Sequence, residues 1–213
     1  MKGHLDNLQK SFELSSQQVE DAVNPLEVAA IFEREKVSYV LIGGHMMSFY
    51  TGTARATVDV DFIVGGTHFA RAAKAIEKAF SQFRQNDRVY HVTYDSKKSG
   101  LGDLERIDLV RDGFPLFREV VTRYSHTIKT DGHAVRIPTI EAAIALKFAA
   151  SISPNRGDEN KPVDNADLLR LIRSALRMDE KALLMLGDFI YRGGGTELLA
   201  LVGDIRAGKP VRL

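Results

Sequence analysis

The 213-residue chain has no cysteine, which removes disulfides, thiolate metal sites and cysteine nucleophiles together. No apolar run approaches the roughly 20 residues that a bilayer-spanning helix needs. The opening stretch, MKGHLDNLQKSFELSSQQVEDAV, is polar and lacks the apolar segment of a secretory signal, so a cytoplasmic location is expected. Neither sign of charge dominates: 29 Lys and Arg against 28 Asp and Glu leave a formal net charge of +1. Charge therefore neither requires nor forbids a nucleic-acid partner, because a basic groove can hide inside a neutral total. There is no internal repeat and no low-complexity tract. Hydrophobic residues make up 44% of the chain, and a chain of this length can bury a proper core without staples.

The pattern along the chain is mixed. Residues 1–14 read as a loosely ordered lead-in. Helix-start signals follow at Ser15 and Ser16 and again at Asn24-Pro25, where proline suits a first helical position. Leu26, Ala29, Ile31 and Phe32 then recur at helical spacing. VSYVLIGG reads as a buried strand ending at Gly43-Gly44, HMMSFYTG as two helical turns closed by Gly52, and TVDVDFIV as a second strand. THFARAAKAIEKAF is an amphipathic helix with Thr67 as its cap. RVYHVTYD and LERIDLV are strand-like and separated by a polar turn, SKKSGLGD; HTIKTDGHAVRIP predicts a hairpin about Asp131-Gly132. From Thr139 onward the pattern is helical only, in TIEAAIALKFAAS, NADLLRLIRSAL, DEKALLMLGDFIYR and TELLALVGDI, with PNRGDENKPVDN as the long polar loop. The reading is an α/β core over residues 1–138 and a helical part over residues 139–213.

Two carboxylates inside an aliphatic strand demand an explanation. Side chains at i and i+2 of a strand share a face, so Asp59 and Asp61 project together, roughly 7 Å apart at the backbone. Val58, Val60 and Phe62 point the other way. Two such groups repel, and a divalent cation between them removes that cost; hard oxygen ligands suit Mg²⁺ or Mn²⁺. Asp108, in RIDLV, lies inside a second strand-like segment. If the two strands are neighbours, three carboxylates converge as in two-metal phosphoryl-transfer sites. Gly43-Gly44 precedes a helix, whose bare N–H groups favour anions, so a nucleoside triphosphate would be held there.

Gly43-Gly44, Arg55-Ala56-Thr57, Asp59-Val60-Asp61 and Asp108 together resemble the nucleotidyltransferase superfamily built on the polymerase-beta-like palm. The closest likeness is to its AbiEii-type branch, whose members include toxins of toxin–antitoxin pairs. The resemblance runs over roughly residues 26–175, through IPTIEAAIALKFAA and KPVDNADLLRLI. It implies a mixed β-sheet flanked by helices and followed by a C-terminal helical bundle. By that likeness Asp59, Asp61 and Asp108 hold the metal, with Asp108 also placed to act as general base. Gly43, Gly44, Arg55 and Lys147 meet the nucleotide, while Asp164 positions Lys147 or assists the acceptor. The chain departs from the frequent Gly-Ser turn by carrying Gly44-His45. His45 is read as a helix-capping residue, and His91, His126 and His133 as ordinary strand residues.

The implied activity is metal-dependent transfer of a nucleoside monophosphate from an NTP to a hydroxyl. RNA or tRNA ends, a protein and a small molecule are all compatible acceptors, and a cognate antitoxin is an implied partner. A non-catalytic binding module with the same fold is the competing reading. Arg84, Arg88, Lys97, Lys98, Arg170, Arg173 and Arg177 are expected to be solvated faces rather than an RNA path. Haloacid-dehalogenase phosphatases and glycosyltransferases also use D-x-D, but here a Gly-Gly strand comes first and the strand continues past the second aspartate.

Overall fold

The computed structural model describes residues 2–18, 23–54, 57, 59–96, 106–130 and 132–211. Arg55, the turn after Ser96 and Asp131 lie outside the described residues, and so do the readings made for them. The chain divides into two compact units, Met1–Ile137 and Pro138–Leu213.

The first unit runs α1 (Lys2–Gln18), α2 (Pro25–Arg34), β1 (Tyr39–Leu41), α3 (Gly43–Thr51), β2 (Asp59–Val64), α4 (Phe69–Ala79), β3 (Phe83–Asp87), β4 (His91–Ser96), β5 (Arg106–Arg111) and α5 (Pro115–Thr122). A two-stranded sheet of β6 (Ser125–Thr130) and β7 (His133–Pro138) follows. The main sheet has the order β1-β2-β5-β4-β3. Only β2 and β5 are parallel; the other pairs are antiparallel. This is the mixed α/β architecture expected.

Local chemistry explains most boundaries. Asn24 caps α2 by accepting from the Leu26 amide at 2.9 Å, and Pro25 stands at the first turn, where its missing N–H costs nothing. The buried face of α2 brings Phe32 against Tyr39 and Phe62, with ring centroids 5.3 and 5.2 Å apart. These aromatics bury one face of β1–β2, and Val60 and Phe62 point into it. Gly52, at φ 72°, closes α3 in the left-handed conformation that glycine adopts without strain.

Four expectations are corrected. Residues 2–18 are helical, so Ser15 and Ser16 end α1 rather than start a helix. Leu8 and Phe12 are buried on it, but Ser11 and Ser15 share the buried face, and the stretch reads as polar for that reason. Thr67 sits within a 3-10 turn, Gly66–His68, ahead of α4, and makes no capping hydrogen bond there. The strand β3 went unread because only Phe83 of FRQND is buried, as befits an edge. The helix Lys161–Ser174 begins inside the stretch read as a loop.

In the second unit α6 (Ile140–Ile152) is capped by Thr139, and α7 (Lys161–Ser174), α8 (Glu180–Asp188) and α9 (Gly194–Arg206) follow. α6 packs on α7 and α8, and α9 packs on α7 and α8. Among the described residues no helix is long and apolar enough to cross a membrane.

Candidate active site

Strand pairing decides which carboxylates meet. β2 and β5 run parallel with Asp61 opposite Asp108 and Asp59 opposite Arg106. On the other side of β5, Thr93 of β4 pairs with Asp108 and Asp95 with Arg106. In-register neighbours share a face, so two rows lie side by side: Asp59, Arg106, Asp95 and Asp61, Asp108, Thr93. Among the described residues four carboxylates thus share one sheet face with two guanidinium groups, that of the exposed Arg84, opposite Asp95 on β3, and that of Arg106.

The Arg106 guanidinium is already committed, since its Nε donates to Asp95 Oδ1 at 2.9 Å. The bond, with the nearby charges of Asp108 and Asp59, holds Arg106 still more firmly in its charged form. Asp108 moves the other way. Burial raises its carboxyl above the usual carboxylate range and the Asp59 charge adds to the rise, against lowering by Arg106, by the Thr93 hydrogen bond and by His91. Asp108 Oδ1 is buried and makes no hydrogen bond. A buried carboxylate oxygen with no partner is costly.

The glycine turn is built against the same cluster. Gly43 has φ +70°, and a Cβ there would collide with Asp61 Oδ2. The Ile42 amide donates to the Asp61 carbonyl at 2.9 Å. Gly43 is thus glycine both for its left-handed backbone and for its contact with the carboxylate. A Cβ on Gly44 would lie 2.9 Å from Thr57 Cβ. The start of α3 has no side-chain cap, so its first N–H groups stay available to an anion.

His45 neither caps α3 nor reaches toward a phosphate. It is fully buried, its Nδ1 sits 3.1 Å from Ser11 Oγ, and its ring packs on Phe12 at 4.8 Å. Burial lowers its pKa to about 3, so the ring is neutral. α1 supplies this environment: Ser15 Oγ also accepts from the Thr57 amide at 3.2 Å, and Thr57 Oγ1 donates to the Asp59 carbonyl at 3.3 Å.

A family model described as "Nucleotidyl transferase AbiEii toxin, Type IV TA system" matches residues 28–209. The chain belongs to this AbiEii family. No curated protein sequence matches it. Among solved structures, an antigenic nucleotidyltransferase-like protein from Paracoccidioides brasiliensis aligns with a TM-score of 0.55 and 16% identity, over 93% of this chain and 94% of that one. ANT(2'')-Ia, solved in complex with adenylyl-2''-tobramycin, aligns with a TM-score of 0.50 and 15% identity, over 85% and 94%. At such identities the likeness speaks for the fold.

The other residues singled out in this AbiEii-family chain belong to the second unit. Lys147 of α6 stands 3.0 Å from Asp164 Oδ1 and 2.8 Å from Asp167 Oδ2, both on α7. Arg156 Nε contacts Asp164 Oδ2 at 2.6 Å, and Arg170 lies 3.6 Å from Asp167 Oδ1. Both aspartates are 2% exposed and Lys147 14%. The spacing of Asp164 and Asp167, three apart on one helix, puts both toward α6.

Sequence reasoning missed Arg106, Asp95 and Thr93. Arg106 was visible two residues before Asp108, and hence on its face; Asp95 and Thr93 needed the register of β4. Among the described residues no group of three or more His, Asp or Glu side chains stands close enough together to hold a metal ion. The donor chemistry of Asp59, Asp61 and Asp108 nevertheless fits a hard cation, and the partnerless Asp108 Oδ1 is an oxygen such an ion would satisfy.

Proposed function

We propose that this chain transfers a nucleoside monophosphate from an NTP to an acceptor hydroxyl, and that it is the toxin of a pair with a cognate antitoxin. One observation carries the reading most: the in-register pair Asp61–Asp108, with Asp59 on the same face and the uncapped start of α3 against Asp61. Asp59, Asp61 and Asp108 would hold Mg²⁺ or Mn²⁺. Bound there, the ion would supply Lewis acidity and offset charge on the attacking and leaving oxygens.

The residues supply the rest. The Gly43 and Gly44 amides and the helix end behind them receive the phosphates. Asp108 takes the proton from the acceptor hydroxyl, a role suited to a carboxyl whose burial already favours the protonated form. The freed oxygen bonds to the α-phosphorus, the bond to the bridging oxygen breaks, and pyrophosphate leaves with the electron pair. Arg106 and Asp95 fix the row beside this site without touching substrate.

An RNA end, tRNA above all, is the first acceptor to test. The experiment incubates the protein with each α-labelled NTP, Mg²⁺ and total cellular RNA or protein, with Asp61→Asn in parallel. Label should enter one acceptor class with wild type and none with the variant. No transfer from any NTP, or equal transfer by the variant, overturns the proposal and leaves a binding module on the same fold.

A further inference from the structure

The sheet has a second polar site at the opposite end of its parallel strands. Asp59, Asp61 and Asp108 lie in the first halves of β2 and β5. Where those strands end, Gly65 and Gly66 follow β2 and Asp112 follows β5. Together with residues from β7 and α5 they line a cleft of 670 Å³, within the range of small-ligand sites. From Asp61 to Gly65 is about 13 Å by strand rise, so the cleft is separate from the carboxylate cluster.

Its lining has a definite chemistry. Arg118 and Arg136 both face it, and among the described residues neither has a carboxylate partner. Arg136 is held by donating from Nε to Ser125 Oγ at 2.8 Å, which leaves its other N–H groups for a ligand. Asp112 lies against Gly66, where a Cβ would stand 2.7 Å from Asp112 Oδ1. The cleft therefore offers two guanidinium groups and one carboxylate.

An aromatic surface adjoins it. Phe114 sits one helical turn before Arg118, whose amide donates to the Phe114 carbonyl at 3.1 Å. Phe114 is 46% and Tyr90 58% exposed, with ring centroids 5.1 Å apart, and Phe117 packs on Phe114 at 5.6 Å. Two exposed rings braced by a third form a stacking platform and not a hydrophobic core. Guanidinium groups recognise phosphate, a carboxylate accepts from ribose hydroxyls, and an exposed ring stacks on a base.

We propose that this end of the sheet binds a nucleoside phosphate, its phosphate on Arg118 and Arg136, its ribose near Asp112 and its base on Phe114 and Tyr90. The shared chemistry has two sources, a free mononucleotide or one unit of an RNA strand, and the test separates them. Fluorescence anisotropy follows a short 5'-fluorescein-labelled RNA in EDTA, which silences any metal-dependent binding at Asp59, Asp61 and Asp108. Wild type should bind, Arg118→Ala/Arg136→Ala should weaken affinity at least about tenfold, and Phe114→Ala at least about fivefold. Asp59→Asn/Asp61→Asn should bind as wild type does, so failure of the transferase reading leaves this result standing. Competition by AMP at concentrations like those of the RNA identifies the free nucleotide; RNA binding that AMP does not displace identifies the strand. Absence of binding by wild type, unchanged affinity in the arginine variant, or equal competition by ribose 5-phosphate overturns the proposal.

Discussion

Asp108 and Asp164 are both aspartates inside secondary structure, yet their settings are opposite. Asp164 and its neighbour Asp167 are matched by Lys147, Arg156 and Arg170, so every charge on that face of α7 has a partner within 3.6 Å. On the sheet, Asp95 accepts from both Arg106 and Asn86, but Asp108, in register with Asp61, keeps a buried Oδ1 that makes no hydrogen bond. Buried carboxylates matched by cations need nothing further to be stable. A buried carboxylate oxygen without a hydrogen bond is one that a cation would satisfy. Composition could not tell the two apart; only the partners do.

The largest effect should come from breaking the complete network. Lys147→Ala leaves two nearly buried carboxylates with only the partly exposed Arg156 and Arg170 beside them. Removing one partner of a buried ion pair costs about 3–5 kcal/mol, measurable as a drop in the urea midpoint at unchanged slope. A loss below about 1 kcal/mol would mean that water already screens the pair and the contrast with the sheet is weaker than drawn. Next comes the incomplete cluster. Asp61→Asn should reduce nucleotidyl transfer at least about 100-fold, or about 2.7 kcal/mol at the transition state. It should nevertheless melt no lower than wild type in EDTA, because it removes a repelling charge. Asp164→Asn should melt lower. If both variants lose stability alike, the two regions are of one kind.

How much of this could be read in advance follows from the same distinction. The D-x-D strand, the glycine turn and the third aspartate were legible because each breaks a local rule: carboxylates among aliphatics, glycines where a strand should continue. The convergence of Asp61 with Asp108 followed once two strands were taken as neighbours. What stayed hidden depends on partners distant in sequence. Ser11 and Ser15 look like surface residues until His45, 34 positions after Ser11, and Thr57 meet them across α1. For this reason α1 read as a lead-in and His45 as a cap. FRQND has one buried residue to announce a strand, and α5 is short enough to vanish between β5 and β6.

His45 sharpens the comparison by a different route, since its polar cluster is neutral. Its pKa falls from the ordinary 6.5 to about 3 through burial. Between these values the unfolded chain binds a proton that the folded chain refuses, so stability rises with pH across the window and is lost as pH drops below 6.5. From pH 7 to pH 5 the ring should cost about 2 kcal/mol. His45→Gln, which can keep a hydrogen bond to Ser11 without titrating, should flatten that part of the stability curve. An unchanged slope would show that the ring is protonated or solvated at pH 5.

The smallest effect tests the sheet cluster without activity. Burial raises the Asp108 pKa above that of the unfolded chain, so the folded state holds the proton longer. Stability from this group is therefore present at low pH and lost as pH rises through the unfolded value toward the folded one. At neutral pH the ionised carboxyl works against the fold. Asp108→Asn should stabilise the protein by a few tenths of a kcal/mol to about 1 kcal/mol in EDTA at pH 7, since Asn keeps an oxygen for Thr93 and carries no charge. Adding Mg²⁺ should raise the melting temperature of wild type and not of the variant, reversing their order. If Asp108→Asn destabilises in EDTA, the carboxylate is already satisfied by Arg106 and Thr93. The sheet would then resemble the α6–α7 network, and the case for a missing cation would go with it.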